Sequence, residues 1–308
     1  MSSLEGLGVV VLTHGPRGEY GPLVVQLVEQ RVDATSIAIV QNPVDPTDPP
    51  ARSPVAGVTV LRTPRNLAYA GGMNTGIRHQ LAKGASRVLL LTQDVRLRDG
   101  AVGALMAAGD RHPEYGVLGP VLWLRDAMSV FSYGGRRGRR GGWVEHIRDA
   151  APPSDDGIAH CDWVDGAALL IRRDALEHVG LLDERLFIYF EETDLCLRIT
   201  RAGWRVGVVL DAVAEQESGQ PARPGFHAYL MARNGFEYAR RSSGLVGAAA
   251  AVRRAVRESL DLLGGYRDAS APDRRAACIK LVGTWLGFVD FLRRRFGPPP
   301  ERIARLGR

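Results

Sequence analysis

Residues 7–13 read LGVVVLT, a continuous apolar run that ends in polar residues. A strand that is apolar on both faces is typical of a parallel sheet with helices on either side. Three more short runs of this kind follow, with helical spacing between most of them: residues 36–40, 58–61 and 87–91. The first ninety or so residues therefore predict βαβ units, and with them an α/β fold whose central sheet is mostly parallel and flanked by helices.

The rest of the chain predicts fewer strands and ends in helices. Strands are predicted at residues 116–124, 163–172 and 206–210, and helices at 174–179 and 187–202. From His227 onward the pattern is helical, over residues 227–241, 246–263 and 274–296. We therefore expect one large α/β domain, residues 1–241, and a basic amphipathic helical extension, residues 242–308.

Composition places the chain among ordinary globular proteins. Hydrophobic residues make up 45% and charged residues 24% of the 308 residues. No apolar stretch reaches the roughly 20 residues needed to span a bilayer, and no basic segment with an apolar core opens the chain. Its three cysteines are widely spaced and form no C-x-x-C pair, which disfavours a disulfide framework or a zinc site. These features predict a cytoplasmic protein.

The net charge of +6 comes largely from arginines in the last third of the chain. A nucleic-acid-binding protein would pair such clusters with aromatic-rich RNA motifs or a helix-turn-helix pattern, and neither is recognisable. The arginines are better explained as a solvated or anion-facing helical surface. We expect no nucleic-acid partner.

Polar residues directly follow three of the predicted strands: Thr13 and His14, Gln41 and Asn42, and Thr92, Gln93 and Asp94. In an open parallel sheet, the carboxyl ends of neighbouring strands meet at one crevice, where ligands bind. Each of these three sets of polar residues could simply terminate its strand. Together they predict a binding site at this edge.

A glycine-rich segment lies between two of these strand ends. It contains Asn66, the pair Gly71 and Gly72, and Asn74, at the start of a predicted helix. Glycines at a helix start allow a ligand to approach the backbone, and the free N–H groups there favour an anion such as a diphosphate. The asparagines could bond a base, a ribose or local backbone.

An acidic cluster follows the apolar segment LFIYF at residues 186–190. In a helix, Glu191 and Asp194 share a face, whereas Glu192 points elsewhere. Carboxylates held against apolar surface have raised pKa values, which suits a general base. The alternative is a helix N-terminus whose acids are stabilised by the helix dipole.

These segments, in this order, resemble the inverting glycosyltransferases of family two, which have the GT-A fold, and most closely the bacterial rhamnosyltransferase-like branch. The resemblance covers roughly residues 7–241 and is carried by VVVLTHG (9–15), NLAYAGGMNTGI (66–77), LLLTQDV (89–95), the block from Val164 to Val206, and HAYLMARNGFEYARR (227–241). It implies an enzyme that moves a sugar from a nucleotide donor.

The resemblance also implies a role for each motif. The nucleotide would be held by two sets of residues: Thr13, His14, Gln41 and Asn42 at the base and ribose, and Asn66, Gly71, Gly72 and Asn74 closing over it. Thr92, Gln93 and Asp94 match the D-x-D element, which holds Mg²⁺ or Mn²⁺ against the diphosphate. Glu192 matches the catalytic acid of the E-D pair. The sugar and acceptor side would be formed by Trp163, Asp165, Gly166, Glu191 and Asp194.

Four positions depart from the family pattern. Thr92 and Gln41 stand where acids are usual, Glu192 replaces an aspartate, and Gln216 stands where a histidine often binds metal. An amide oxygen binds Mg²⁺ but is a poor ligand for a transition metal. The metal would therefore be held through Asp94, with Gln216 a weak candidate. The missing acids also motivate a second interpretation, a catalytically degenerate nucleotide-sugar-binding protein that acts as a partner or regulator.

Two further questions stay open at this point. The donor could be linked to dTDP, UDP or GDP, and the hydroxyl acceptor could be a lipid-linked glycan or a natural-product core. The apolar stripe at residues 274–296 fits core packing or a homodimer contact. It also fits docking on the anionic inner face of a membrane, where each basic residue contributes about 1 kcal/mol.

Overall fold

The structure is a computed structural model that describes residues 4–15, 20–45, 47–138, 143–149, 151–152, 154–217, 223–265, 270–304 and 306. Its strands are β1 (Leu7–His14), β2 (Ile37–Asn42), β3 (Thr59–Arg62), β4 (Arg87–Thr92), β5 (Arg96–Leu97), β6 (Tyr115–Leu124), β7 (Ser129–Ser132), β8 (Gly135–Arg137), β9 (Val144–His146), β10 (Ser154–Asp155), β11 (Ile158–His160), β12 (Ala168–Arg172) and β13 (Arg205–Gln216). Its α-helices are α1 (Gly21–Glu29), α2 (Ala68–Ala82), α3 (Ala101–Arg111), α4 (Arg173–Val179), α5 (Glu191–Arg201), α6 (Pro224–Gly264), α7 (Ala271–Leu292) and α8 (Glu301–Ala304).

These elements form two compact units, the first made of residues 1–136, 146–183 and 192–218, and the second of residues 137–145, 184–191 and 219–308. The sequence places the boundary between 241 and 242, whereas α6 runs across that position. We call the second the C-terminal unit.

The first unit is built on one sheet in the order β10-β11-β13-β6-β12-β4-β1-β2-β3. Strands β3, β2, β1 and β4 are parallel neighbours, as predicted from their continuous apolar runs. Strand β12 is antiparallel to both β4 and β6. The predicted α/β fold with a mostly parallel sheet is confirmed.

Several predicted elements differ in extent. Helix α3 was not predicted, and its buried face packs on β6 and β13. Strand β13 runs to Gln216 instead of ending at residue 210, and β12 begins at Ala168 instead of 163. The predicted helix 187–202 begins only at Glu191, because Phe187, Tyr189 and Phe190 adopt positive φ. The glycine- and arginine-rich residues 134–142, where the sequence favours a loop, include the short strand β8 and lie partly outside the described residues.

Glycines set the distance between α2 and the sheet. A Cβ on Gly76 would lie 2.3 Å from Val10 Cγ1, and a Cβ on Gly72 would lie 2.5 Å from Leu12 Cδ1. Either contact is far inside van der Waals range, so only glycine allows this close packing on β1. The helix is therefore held directly behind the strand that carries Thr13 and His14 at its end.

The C-terminal unit is dominated by α6 and α7. Helix α6 is broken at Ser243 and Gly244, which have non-helical backbone angles, in the gap that the sequence leaves between its two predicted helices. Phe236, Phe288 and Phe291 form part of the apolar contact between α6 and α7. In the part of the chain that the structure describes, no helix is both long and apolar enough to cross a membrane.

Candidate active site

The carboxyl ends of β1, β2 and β4 meet at one sheet edge. Thr13 pairs in register with Gln41 of β2, and the residue before it, Leu12, pairs with Thr92 of β4. Gln93 joins two of these ends, because its Oε1 accepts hydrogen bonds from Thr13 Oγ1 at 2.6 Å and from the His14 backbone N–H at 3.0 Å. The structure thus brings together the strand ends that the sequence singles out.

Gln41 is buried and its side chain is used within the protein. Its Nε2 donates to the Pro49 carbonyl at 2.6 Å, and its Oε1 accepts from the Ala51 N–H at 2.9 Å. Arg62 donates to the same Oε1 at 3.1 Å. These bonds fasten the loop that follows β2, and the contact of Gln41 with a base or ribose stays a prediction.

Asn42 and Asn66 organise the start of α2. Asn42 Nδ2 donates to the Ala68 carbonyl at 2.8 Å, and its Oδ1 accepts from the Leu67 N–H at 2.7 Å. Asn66 Oδ1 accepts from Asn42 Nδ2 at 3.1 Å and from the Ala68 N–H at 2.8 Å. Asn42 is fully buried and holds this turn, and its contact with the donor stays a prediction. Asn66 is only half-buried and stays a predicted donor-binding residue.

Three further predicted donor contacts have packing roles in the structure. Asn74 is buried and bonds both backbone groups of Leu182, donating to its carbonyl at 2.9 Å and accepting from its N–H at 3.1 Å. Gly71 and Gly72 lie inside α2, four and five positions along, and have no free helix-start N–H to offer. These three residues therefore pack α2 within the fold, and their contact with the donor stays a prediction.

Asp94 is the one carboxylate of the D-x-D-like element and lies just beyond the end of β4. Its side chain is exposed and has no hydrogen bond or ion pair with the residues described. The Thr92 N–H donates to the Ala167 carbonyl at 3.0 Å, which ties this element to the segment that carries Asp165 and Gly166. The exposed carboxylate fits a hard cation that also binds phosphate oxygens, since Mg²⁺ typically takes one or two carboxylates and keeps several waters.

The second predicted metal ligand fits less well. Gln216 ends β13, and its acidic neighbours Glu215 and Glu217 are each paired with an arginine, Arg98 at 2.6 Å and Arg125 at 3.2 Å. Neither acid can replace Gln216 without breaking an ion pair. Among the described residues, no group of three His, Cys, Asp or Glu side chains could hold a metal. The donor set therefore fits a cation only together with a diphosphate.

Glu192 lies in the first turn of α5, against the 165–167 segment. A Cβ added to Gly166 would lie 3.6 Å from Glu192 Cδ and 3.1 Å from the Tyr69 hydroxyl, which itself donates to the Gly166 carbonyl. Burial raises the pKa of Glu192 to about 7, and the nearby Asp165 carboxylate adds to this, partly offset by backbone N–H groups of Glu192 and Thr193. Because residue 166 is a glycine, there is space beside the Glu192 carboxyl, whose pKa is raised to about 7.

Asp165 has a partner that the sequence did not identify. His146 Nδ1 lies 3.3 Å from Asp165 Oδ1 and 3.2 Å from Ser132 Oγ. Burial raises the pKa of Asp165, opposed by the charges of His146 and Arg148. Burial lowers the pKa of His146, opposed by Asp165. His146 comes from the short strand β9, and nothing in its local sequence marks it, because the contact depends entirely on the fold.

Three predicted acceptor-side residues are less available than expected. Trp163 is buried, with its ring against Gly135 and 4.8 Å from the His146 ring. Asp194 is buried in an ion pair with Arg198 at 2.9 Å. Trp163 thus packs within the protein and Asp194 forms an ion pair, and the acceptor contact of both stays a prediction. Glu191 is also buried, at 3% exposure, which leaves Glu192 as the partly accessible acid of the pair.

The segment before Glu191 is held in an unusual backbone conformation within the C-terminal unit. Phe187, Tyr189 and Phe190 have φ of 70°, 73° and 72°, a left-handed region that non-glycine residues rarely adopt. Asn234 Nδ2 donates to the carbonyls of Leu186, Ile188 and Tyr189 at 2.8–2.9 Å. Asn234, which belongs to the segment HAYLMARNGFEYARR (227–241), thus fixes the residues that lead directly into α5.

Comparison with known proteins agrees with this geometry. The glycosyltransferase-like family 2 profile matches residues 16–237. An N-acetylglucosaminyl-diphospho-decaprenol L-rhamnosyltransferase of Mycobacterium tuberculosis is 29% identical over 222 residues, 64% of this chain and 71% of the relative. Galactofuranosyltransferase GlfT1 of Mycolicibacterium smegmatis is 31% identical over 224 residues, 69% of this chain and 71% of the relative.

A solved structure shows the same fold at lower identity. The mannosyltransferase PcManGT from Pyrobaculum calidifontis, in complex with GDP-Man and Mn²⁺, aligns with a TM-score of 0.53 and 15% identity, covering 94% of this chain and 87% of that one. The family profile spans α1 to the first part of α6 and includes the acidic helix α5. The chain belongs to glycosyltransferase-like family 2, and it is a glycosyltransferase with the GT-A fold.

Proposed function

We propose that this enzyme transfers a hexosyl or deoxyhexosyl group from a dTDP-, UDP- or GDP-linked sugar to an acceptor hydroxyl, with inversion at the anomeric carbon. The observation that carries the proposal is the Glu192 carboxyl, partly buried beside Gly166 and with a pKa raised to about 7. A base with a pKa near the working pH combines the deprotonated form with a useful driving force for proton transfer.

The reaction is a single displacement. Glu192, deprotonated, accepts the proton of the acceptor hydroxyl while that oxygen forms a bond to the anomeric carbon. The bond from this carbon to the diphosphate oxygen breaks on the opposite face, and the nucleoside diphosphate leaves with the electron pair. A divalent cation held through Asp94 and the diphosphate would stabilise the charge on the leaving group. Attack opposite the leaving group inverts the configuration.

The rate should depend on pH through Glu192. Below pH 7 the carboxyl is increasingly protonated and cannot accept a proton, so kcat should fall about tenfold per pH unit. Above pH 8 or so the base is fully ionised and kcat should level off, on the raised pKa of about 7. A pH profile of donor hydrolysis under saturating donor measures this. A rate that is flat between pH 5 and 8 would contradict the assignment of Glu192.

The metal can be tested by chelation. Because Asp94 is the sole carboxylate of its element, we expect weak Mg²⁺ or Mn²⁺ binding, with activity lost in EDTA and restored by millimolar metal. Replacing Asp94 by Asn should raise the metal concentration needed for half-maximal activity. Asp99→Asn, an exposed change five residues away, provides the control. Full activity in EDTA would remove the cation from the mechanism.

For the acceptor, we favour a lipid-linked glycan over a natural-product core. The M. tuberculosis relative is named for a diphospho-decaprenol-linked acceptor, and this chain covers 71% of that protein. The basic C-terminal helices would suit work at the inner face of a membrane, where anionic lipids attract Lys and Arg.

A thermal-shift screen across nucleotide sugars, followed by donor hydrolysis, tests the proposed function. A donor at 100 times its Kd stabilises the folded state by about 2.7 kcal/mol, so one nucleotide sugar should stand out. Hydrolysis of that donor by the protein alone supports an enzyme. Thr92 and Gln216, in positions where acids or histidine are usual, motivate a donor-binding protein without catalysis, and stabilisation with no hydrolysis or transfer would favour it.

A further inference from the structure

A cavity of about 660 Å³ lies within the C-terminal unit, between α6 and α7. Six of the residues that line it are alanines, and Trp143, Met231, Phe236 and Leu262 supply larger apolar walls. The cavity is partly open to solvent, and its volume lies in the range of pockets that bind small molecules, about 300–1,000 Å³. An apolar space of this size needs a physical explanation.

Loose packing of the two helices does not explain the cavity. A Cβ on Gly287 would lie 2.4 Å from the Tyr229 carbonyl oxygen, and a Cβ on Gly283 would lie 2.7 Å from the Gly225 carbonyl oxygen. The backbones of α6 and α7 are therefore already in direct contact at these glycines. The helices cannot approach further to close the cavity, and the small alanine side chains keep it open.

Among the described residues that line the cavity, Lys280 is a cation without an ion-pair partner. Arg254 is paired with Glu258 at 2.8 Å, and Asp273 lies in the first turn of α7, where the helix N-terminus compensates its charge. Lys280 is exposed and makes no hydrogen bond or ion pair with the described residues. Burial, and then the Lys280 charge, lower the pKa of His227, so the imidazole is neutral at pH 7. An apolar space with a single available ammonium suits a hydrocarbon chain that carries one anionic head.

We propose that this cavity binds the hydrocarbon chain of a lipid-linked acceptor, with the lipid phosphate near Lys280. The inference rests on the proposed function and adds to it a site made of residues other than those of the Glu192 environment. An apolar cavity of roughly 150 Å³ holds one benzene molecule, so the observed volume has room for roughly 25 carbon atoms of a chain. Burial of each methylene favours binding, which makes affinity depend on chain length.

The shape of the site distinguishes a single chain from other occupants. A helix that lies on a bilayer presents a convex apolar face to the headgroup region, whereas here the apolar groups line a concavity. A second copy of the protein would need a protruding apolar segment of matching size. A flexible chain fills such a space without either requirement.

The test uses the full-length protein and measures its affinity for geranylgeranyl phosphate, geranyl phosphate and inorganic phosphate. Trp143 lines the cavity, so its fluorescence reports binding. Ala277→Phe places a ring in the cavity, and Ala249→Phe makes the same change at an exposed site on α6 as the control. We expect Ala277→Phe to weaken geranylgeranyl phosphate binding at least about tenfold, since it displaces several methylenes. Ala249→Phe should leave it unchanged.

Two further comparisons distinguish the contribution of the hydrocarbon chain to binding from that of the phosphate head. Geranylgeranyl phosphate should bind more tightly than geranyl phosphate, and inorganic phosphate should not compete. Lys280→Gln should weaken the binding of geranylgeranyl phosphate but leave the binding of geranylgeraniol, which has no phosphate, unchanged. Equal binding of all three phosphates, or wild-type affinity in Ala277→Phe, would overturn the proposal. Binding only to anionic vesicles, with none to the monomeric lipid, would favour a bilayer surface, and lipid-dependent dimerisation would favour a second copy.

A diazirine-labelled geranylgeranyl phosphate gives an independent readout on the wild-type protein, should Ala277→Phe fold poorly. Crosslinks should map to α6 and α7. Crosslinks confined to the first unit would contradict the proposal that the lipid binds in this cavity. Donor hydrolysis is measured in parallel in each variant. If hydrolysis is intact and lipid does not bind, the cavity proposal fails alone. If lipid binds and hydrolysis is not detected, the proposed function fails alone.

Discussion

Replacement of Glu192 by glutamine is expected to lower kcat by about 10²–10⁴-fold, the contribution typical of a general base. The amide keeps the size and hydrogen-bonding capacity of the side chain but cannot accept the acceptor's proton. The donor KM should change little, because the proposed nucleotide contacts at the ends of β1 and β4 are untouched. Steady-state rates with the donor selected by thermal shift measure the effect.

Two controls bracket this result. Glu192→Asp keeps the base but withdraws the carboxylate by one methylene, so its kcat should fall between the wild type and Glu192→Gln. Glu177→Gln removes an exposed carboxylate of α4 that pairs only with Arg173 at 3.3 Å, and it should leave kcat unchanged. If Glu192→Gln keeps wild-type kcat, another group is the base.

Replacement of Asn234 by alanine is expected to lower the free energy of unfolding by about 2–4 kcal/mol, because the carbonyls of Ile188 and Tyr189 lose a donor. The Leu186 carbonyl keeps Arg233 Nη2 at 3.0 Å. The three carbonyls that Asn234 binds belong to a segment with positive φ at Phe187, Tyr189 and Phe190, and this conformation has no other support from a side-chain amide in the described hydrogen bonds. Urea denaturation of the full chain gives the change in stability.

The same substitution should also reduce kcat, because the segment continues directly into Glu191 and Glu192. Arg253→Ala, at an exposed position on α6, is the matched control and should change the unfolding free energy by less than about 0.5 kcal/mol. An Asn234→Ala protein with wild-type stability and kcat would show that the segment holds its conformation without this side chain.

Much of the sheet could be predicted because its signals are local. The apolar runs of β1, β2 and β4 identify buried strands, and their polar ends meet at one edge through parallel pairing. The direction of β12 could not be predicted, since an apolar run does not encode whether its neighbours are parallel. Helix α3 was missed because its alanine- and glycine-rich sequence gives little contrast between its two faces.

The candidate site was only partly readable from sequence for a similar reason. Glu192 and Asp94 stand out as acids in a motif, and both prove accessible at least in part. Asn42 and Asn74 look identical to ligand-binding asparagines in sequence, yet their side chains are satisfied by backbone groups far along the chain. His146 depends on a contact with Asp165 that no local pattern announces.

Because the fold consists of a first unit built on the sheet and a helical C-terminal unit, we propose that the two units have different functions. The sheet edge with Asp94 and Glu192 would bind the donor and perform the displacement, whatever the acceptor. The cavity between α6 and α7 would select acceptors by their hydrocarbon chain. Donor hydrolysis and lipid binding are therefore expected to respond to different substitutions.

The anomeric configuration of the product tests the central claim, a single displacement assisted by Glu192, most directly. Proton NMR of the sugar released or transferred from the selected donor, recorded before mutarotation, distinguishes the two anomers by their coupling constants or chemical shifts. We predict a first-formed product with the configuration opposite to that of the donor. A product that retains the donor configuration would contradict the mechanism.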